Sequence, residues 1–468
     1  GDAPAHRLLV SATCGNPFAV EAVDESADTF RHRKANCPDF IGGCTSGGRP
    51  SPLRRFLRIL GPGLITGASD DDPSGIGTYS VAGAKFGYAT LWTALLTFPL
   101  MAAIQLICAR IALASGKGIA TVMREHYPRP LVLSVVAALM IANTINVGAD
   151  ILAIAAGVNL LVPVPIRLLI VPIGLLILAL QIWGSYRLIA GVFKWLCLSL
   201  LGYIGASLLA KPDWSAVLWH TMVPTIRFDA EFLSILVAIL GTTISPYLFF
   251  WQASQEVEEQ VSQGRRWLWQ RKAAADHEIK GAFWDVGIGM FCSNIVMFFI
   301  ILATAATLHE SGHTEIASAD EAAAALRPLA GNSATVLMAL ALVGSGLLAV
   351  PVLTGSAAYA ICEAFNWRCT LDAKPAQAKQ FYLVIAASTL GGLLFNLLGV
   401  NPIDALFWTA VINGFLAPPL LVIIMLMASN KAIMGKQVNG PVANVLGWIT
   451  TLVMIAAAVG LLVTWGVS

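Results

Sequence analysis

The sequence predicts an all-α polytopic membrane protein of about eleven transmembrane helices. Three observations predict it. Hydrophobic residues make up 57% of the 468 and charged residues only 12%, with a mean hydropathy of +0.74, whereas a soluble domain carries about 25% charge. Apolar runs of about 20 residues recur from roughly residue 56 onward, joined by short polar connections. The basic residues of those connections gather on one side, as the positive-inside rule requires. Backbone amides in lipid must find partners within their own segment, so each run reads as a helix.

In chain order, residues 1–50 come first, rich in Pro, Gly, Ser and Cys with no long apolar run. They read as a disordered N-terminal segment, since Leu8-Leu9-Val10 is too short for the core of a signal peptide. Residues 51–468 are expected to form one membrane domain. Its spans are expected at roughly 59–80, 89–115, 131–160, 166–184, 189–210, 231–256, 282–308, 334–361, 381–399, 403–428 and 444–466. With the N-terminus inside, one side collects Arg54, Arg55, Arg58, Lys117, Arg124, Arg129, Arg187, Lys194, the run from Arg265 to Lys280, Arg368, Lys374, Lys379, Lys431 and Lys436. The other side receives Lys85, Arg167, Lys211, Arg227 and Arg327. About 18 basic residues against about 5 place the N-terminus in the cytoplasm and the C-terminus outside, in a plasma or cell inner membrane. Cys108, Cys197 and Cys292 lie inside apolar runs and read as small buried hydrophobes.

The first span cannot be one continuous helix. It reads Gly61-Pro-Gly-Leu-Ile-Thr-Gly-Ala-Ser-Asp-Asp-Asp-Pro-Ser-Gly-Ile-Gly77, with three acids and a proline at mid-length. Pro73 lacks an amide hydrogen and suits the first turn of a new helix, with Asp72 as its N-cap. The sixth span repeats the device in Gly241-Thr-Thr-Ile-Ser-Pro-Tyr-Leu248, with Ser245 as cap and Pro246 at the first turn. The interruptions fall in the first helix of each half, about 56–210 and about 231–428, with an extra helix near 444–466. An offset of five helices inverts one half against the other. Interrupted helices at matching positions of inverted repeats point to a transport site at the midplane. Asp72 supplies charge there, and a carboxylate at that depth costs several kcal/mol unless it works with a partner.

Other polar positions are weaker signals. Asp70 and Asp71 either add a negative field that draws cations to the site or are solvated in a vestibule with one of the three adjacent acids ionised, and Tyr247 walls the cavity or bonds the substrate. Asp150 is expected to bond to Asn143 or Asn146 on its own helix. Asn294 is expected to hydrogen-bond between helices, and Arg110 to snorkel. Glu256, Glu258 and Glu259 lie past the cytoplasmic end of the sixth span and read as solvated, with a role in an exit vestibule as the alternative. A net charge of +2 gives no reason for a nucleic-acid partner. No phosphate-binding loop is present, so neither an enzyme nor an ATP-driven pump is indicated, and no cofactor is expected.

The first span resembles that of the Nramp family of divalent metal transporters, which have a LeuT-like fold. Gly61-Pro-Gly63, eight further residues and Asp72-Pro73 carry the likeness. It continues through Thr78, Gly83-Ala84, Gly87-Tyr88, Leu91-Trp92, Arg110, Ser115-Gly116-Lys117 and Asn401-Pro402. The resemblance implies a 5+5 inverted repeat, a substrate metal on Asp72, and carbonyl ligands at Ser69 and Thr242. The departures are chemical. The family's Asp-Pro-Gly-Asn is here Asp72-Pro73-Ser74-Gly75, its Met-Pro-His is Ser245-Pro246-Tyr247, and its tenth-helix glutamine falls on Ala410, beside Thr409. Of the family's proton-carrying groups, the third-helix acidic pair is Val147 and Asp150 here, and the sixth-helix histidine is Gln252.

Losing a thioether favours hard cations, and losing bulky ligands enlarges the site enough for partly hydrated Mg²⁺. The expectation is a monomeric secondary transporter of Mg²⁺ or Mn²⁺ in preference to Fe²⁺, with weak or absent proton coupling. Asp72, Ser69, Thr242 and Ser245 would hold the ion, with Ser74, Gly75, Tyr247, Thr409 and Ala410 as cavity or gate. Hinges are expected near Gly67, Gly75 and Gly241. The alternatives are a carrier of another small solute that has lost metal binding and a non-transporting membrane sensor.

Overall fold

The computed structural model describes residues 61–184, 197–265, 268–271, 276–371 and 375–467. The expectations for residues 1–50, for 189–196 of the fifth span, and for Arg54, Arg55, Arg58, Arg187, Lys194, Arg266, Lys272 and Lys374 lie outside the described residues.

The first span is two helices, α1 (Pro62–Asp70) and α2 (Pro73–Phe86). There follow α3 (Trp92–Ser115), a short α4 (Ile119–His126), α5 (Arg129–Leu161) and α6 (Ile166–Trp183). The described end of the fifth span is α7 (Gly202–Leu209), and α8 (Trp214–Met222) leads to the second half. That half begins with another divided span, α9 (Ala230–Thr243) and α10 (Pro246–Ser262). It continues with α11 (Asp276–Thr304), α12 (Ala334–Ala364), α13 (Lys379–Phe395) and α14 (Pro402–Ser429), and α15 (Pro441–Val467) is the extra helix. Among the described residues, eight helical stretches are long and apolar enough to cross a membrane. The other three expected spans are the α1–α2 pair, the apolar Ser199–Leu209 stretch and α13.

Both divided spans break over two residues with the same backbone turn. Asp71 (φ −83°, ψ 48°) ends α1 and Asp72 (φ −69°, ψ 168°) starts α2. Ile244 (φ −113°, ψ 57°) ends α9 and Ser245 (φ −76°, ψ 128°) starts α10. The residue before a proline is held in extended backbone, so the helix must end there and restart.

Gly67 and Gly241 sit inside helices rather than at the breaks. They are points of close approach. A Cβ on Gly67 would stand 2.3 Å from the backbone of Gly289 on α11, and one on Gly241 would stand 2.1 Å from the Ala410 carbonyl on α14. These contacts seat α1 against α11 and α9 against α14, which fixes where both interruptions lie.

The two rims differ. At one, Lys117, Arg124 and Arg271 gather; Arg271 Nε reaches the Gly116 carbonyl at 3.4 Å, and Arg124 donates to the Glu363 carbonyl at 2.6 Å. At the other, Lys85 on α2 pairs with Glu231 on α9. Arg110, expected to snorkel, instead donates to the carbonyls of Gln437 and Val438 at 3.1 Å each. Cys108 is buried as expected, but Cys292 lies exposed on the outside of the bundle.

Candidate substrate site at the paired helix breaks

Asp72 is the N-cap of α2, and its carboxylate gathers donors from three elements. Oδ1 accepts from Gly75 N at 2.8 Å and from Ser74 Oγ at 2.6 Å. The first bond satisfies an amide that α2 cannot pair internally. Oδ2 accepts from Asn146 Nδ2 of α5 at 3.3 Å and from the Tyr247 hydroxyl of α10 at 3.4 Å. The Tyr247 hydroxyl lies closer to the Ser69 carbonyl, 3.0 Å away. It therefore bridges the freed carbonyl of α1 and the carboxylate that starts α2. Ser74 Oγ is 3.3 Å from Thr242 Oγ1, so the two breaks touch through hydroxyls. Asp72, Ser69, Ser74, Thr242, Ser245 and Tyr247 are all buried.

Ser245 stands at the matching position but acts differently. Its hydroxyl gives α10 no capping bond, contrary to the capping role expected from sequence. It turns back on its own span, to the carbonyls of Gly241 at 2.9 Å and Thr242 at 2.7 Å. A buried serine between free carbonyls is better satisfied by donating to them than by accepting one amide. Thr409 likewise bonds within its helix, to the Leu406 carbonyl at 2.8 Å. Ala410 contributes its carbonyl to the packing against Gly241.

Four buried acids surround the break. Asp70 Oδ2 and Asp71 Oδ1 share the Ser293 hydroxyl of α11, at 2.6 Å and 3.0 Å. Asp150 is fully buried, and neither of its carboxylate oxygens has a hydrogen-bond partner. The expected bonds within its own helix do not form: Asn143 donates to the Leu353 carbonyl at 3.0 Å, and Asn146 to Asp72. Asp150 lies one helical turn beyond Asn146 and so on the face that meets Asp72. Among the described residues, no ion pair involves Asp70, Asp71, Asp72 or Asp150. Buried carboxylates without a basic neighbour take up a proton or a cation, because burial of uncompensated charge is costly.

Along α2, an apolar layer separates Asp72 from the Lys85 rim. Ile76 and Gly77 face Leu406 of α14 there. Beyond it opens a cavity of about 660 Å³ lined by Lys85, Glu231, Glu315, Asn401, Asp404 and Trp408 among others. Toward the other rim, Gln252 accepts from the Thr66 hydroxyl at 2.6 Å and donates to Glu256 Oε1 at 2.9 Å.

Sequence reasoning misplaced several acids. Glu256 is buried rather than solvated, and Glu258 accepts from the Tyr359 hydroxyl at 2.6 Å and Leu371 N at 2.9 Å. Ser293 carries no sequence signal as a partner of Asp70 and Asp71, and Asn146, expected to bond to Asp150, bonds to Asp72 instead. A serine in a long apolar run gives no local signal, but Asn143, Asn146 and Asp150 at helical spacing marked one polar face of α5. Asn294 does bond between helices as expected, donating to the Ala94 carbonyl at 2.6 Å and accepting from Thr97 at 2.9 Å.

Residues 63–464 match the family model described as natural resistance-associated macrophage protein-like, abbreviated Nramp. Among solved structures, the chain is similar to a manganese transporter of Eremococcus coleocola in complex with an aromatic bis-isothiourea substituted compound. That pair shares 18% identity and a TM-score of 0.67, covering 90% of this chain and 88% of that one. A histidine-to-alanine mutant of the same transporter matches at 19% identity and a TM-score of 0.66, with the same coverage. The likeness in shape extends the fold assignment over both divided spans.

Proposed function

We propose that this chain, which belongs to the Nramp family, is a secondary transporter that carries a divalent metal cation across the membrane. The reading rests above all on Asp72: a buried carboxylate at a broken helix whose hydrogen-bond partners, Ser74, Gly75, Asn146 and Tyr247, are all neutral donors. A permanent basic partner would have occupied the charge. Its absence among the described ion pairs leaves the charge for a substrate. Two further features agree: family membership and the similarity in fold to a protein named as a manganese transporter.

The cation is a hard one, Mg²⁺ or Mn²⁺ in preference to Fe²⁺. Every group facing Asp72 offers oxygen or amide, namely the Ser69 carbonyl, the hydroxyls of Ser74, Thr242 and Tyr247, and Asn146. Oxygen donors suit hard ions, whereas a thioether would favour softer ones. Binding requires rearrangement, since the Tyr247 hydroxyl now spans the Ser69 carbonyl and Asp72. The ion displaces it and takes both oxygens. Access alternates as the α1–α2 and α9–α10 spans tilt at their breaks, with the Lys85–Glu231 pair parting on one side.

Proton coupling is weak or absent, because Gln252 carries no titratable proton in its Thr66–Gln252–Glu256 relay and Asp150 bonds to no relay partner. Uptake of Mg²⁺, Mn²⁺, Fe²⁺ and Cd²⁺ into proteoliposomes, with internal pH followed in parallel, tests all three parts. Mg²⁺ and Mn²⁺ should enter with little acidification. Strong Cd²⁺ or Fe²⁺ uptake that Mg²⁺ does not inhibit would refute the selectivity, and acidification in proportion to metal entry would refute the weak coupling.

A further inference from the structure

Behind the substrate site, a stripe of polar side chains runs along α10 at one-turn spacing: Gln252, Glu256 and Gln260, all buried. Thr66 joins it to the acids at the break. It lies one turn before Asp70 on α1, and its hydroxyl donates to Gln252 Oε1 at 2.6 Å. Gln252 passes the chain to Glu256 at 2.9 Å. One turn further, both amide atoms of Gln260 are buried without a hydrogen-bond partner. Three acids act on Glu256, namely Asp285, Glu259 and Glu278, the last of them paired with Arg265. Asp285 is held in place by the amides of Gly61, Gly63 and Leu64 at the start of α1.

This arrangement is expensive as mere packing. A buried carboxylate held by one amide, followed by an amide side chain with no partner, costs several kcal/mol inside a membrane protein. A transported cation that has left Asp72 needs oxygen ligands at intervals until it meets water, and α10 supplies them one turn, about 5.4 Å, apart. We infer that the groove between α1 and α10 is the ion's route to the Lys117–Arg124 rim, with Glu256 as its intermediate carboxylate station. The side-chain amides of Gln252 and Gln260 flank that station, Gln252 through its Nε2, and the acids Glu259 and Asp285 with the Glu278–Arg265 pair form its mouth.

This inference rests on the cation-transport reading above, and the test separates the two. Mg²⁺ binding to the purified full chain is measured by calorimetry, and Mg²⁺ uptake by proteoliposomes, for the wild type, Glu256→Gln, Glu256→Asp and the double variant Gln252→Glu with Glu256→Gln. Glu256→Gln should bind Mg²⁺ with unchanged Kd but transport it about tenfold more slowly, a loss of rate rather than of binding. Glu256→Asp should keep most of the rate. The double variant moves the carboxylate one turn up the same stripe and should recover part of it, which a purely structural role for Glu256 would not allow. Uptake by Glu256→Gln within twofold of wild type, or loss of Kd together with rate, overturns the route. A wild-type chain that binds none of the divalent cations overturns the transport reading itself and this route with it.

Discussion

The two divided spans make the sharpest comparison in the molecule. Each breaks over two residues before a proline, with the second of each pair, Asp72 and Ser245, in extended backbone. The side chains at the matched caps then behave in opposite ways. Asp72 reaches forward, caps α2 and collects donors from α5 and α10. Ser245 reaches backward and ties up the carbonyls that end α9. Backbone geometry is set by proline and by the close contacts at Gly67 and Gly241, so it is indifferent to the cap. Chemistry is set by the cap, so one break carries charge and the other offers neutral oxygen. The comparison predicts that substitutions at the two sites differ in kind as well as in size.

The largest effect falls on the charged side. Asp72→Ala should abolish calorimetric binding of Mg²⁺ and Mn²⁺ and lower uptake by about a hundredfold or more, since it removes the charged ligand of a buried site. Folding should survive, because the replaced bonds are a helix cap and side-chain contacts, worth about 1–2 kcal/mol together. A variant that still binds Mg²⁺ with wild-type affinity would move the site away from the first break.

Gly241→Ala comes next and tests the frame rather than the chemistry. The new methyl would meet the Ala410 carbonyl and the Gly414 backbone, which cannot yield as a side chain can. A loss of about 1–3 kcal/mol, read as a lower unfolding midpoint in detergent, is expected from overpacking of this kind. Unchanged stability would mean that α9 and α14 are not seated on each other as described.

How much of this was legible beforehand follows the same division. Pro73 and Pro246 announced both breaks, because an X-Pro pair in an apolar run acts on the backbone wherever the chain goes. Asp72 was legible too, since charge in a membrane segment is rare and costly. The direction of the Ser245 hydroxyl was not: a serine can cap forward or bond backward, and tertiary packing decides. The same holds for Glu256 and Glu258. Their position past an apolar run suggested solvent, but Glu256 is buried, and Tyr359 of α12 and the Leu371 amide bond to Glu258. Ser293 lies 222 and 223 residues from the aspartates it serves, so no local pattern could have joined them.

A moderate effect is expected from placing sulfur at the neutral break. Ser245→Met should tighten Cd²⁺ relative to Mg²⁺ by about tenfold in Kd, because a thioether is a soft ligand added to a hard site. An unchanged Cd²⁺-to-Mg²⁺ ratio would mean that the side chain at 245 stays turned toward Gly241 and Thr242 and never meets the ion.

The smallest effect belongs to Ser245→Ala, and it decides whether the comparison holds at the level of ligands. If the hydroxyl serves only the carbonyls of Gly241 and Thr242, its loss frees those oxygens without touching Asp72. Stability should fall by about 1 kcal/mol, the worth of such a hydrogen bond. Mg²⁺ affinity should stay within about threefold, because one neutral oxygen among several is replaceable by water on a partly hydrated ion. A drop in affinity approaching that of Asp72→Ala would mean that Ser245 rotates to hold the ion. The two breaks would then be equal partners in binding, and the backward-facing hydroxyl would belong to the empty state of the cycle alone.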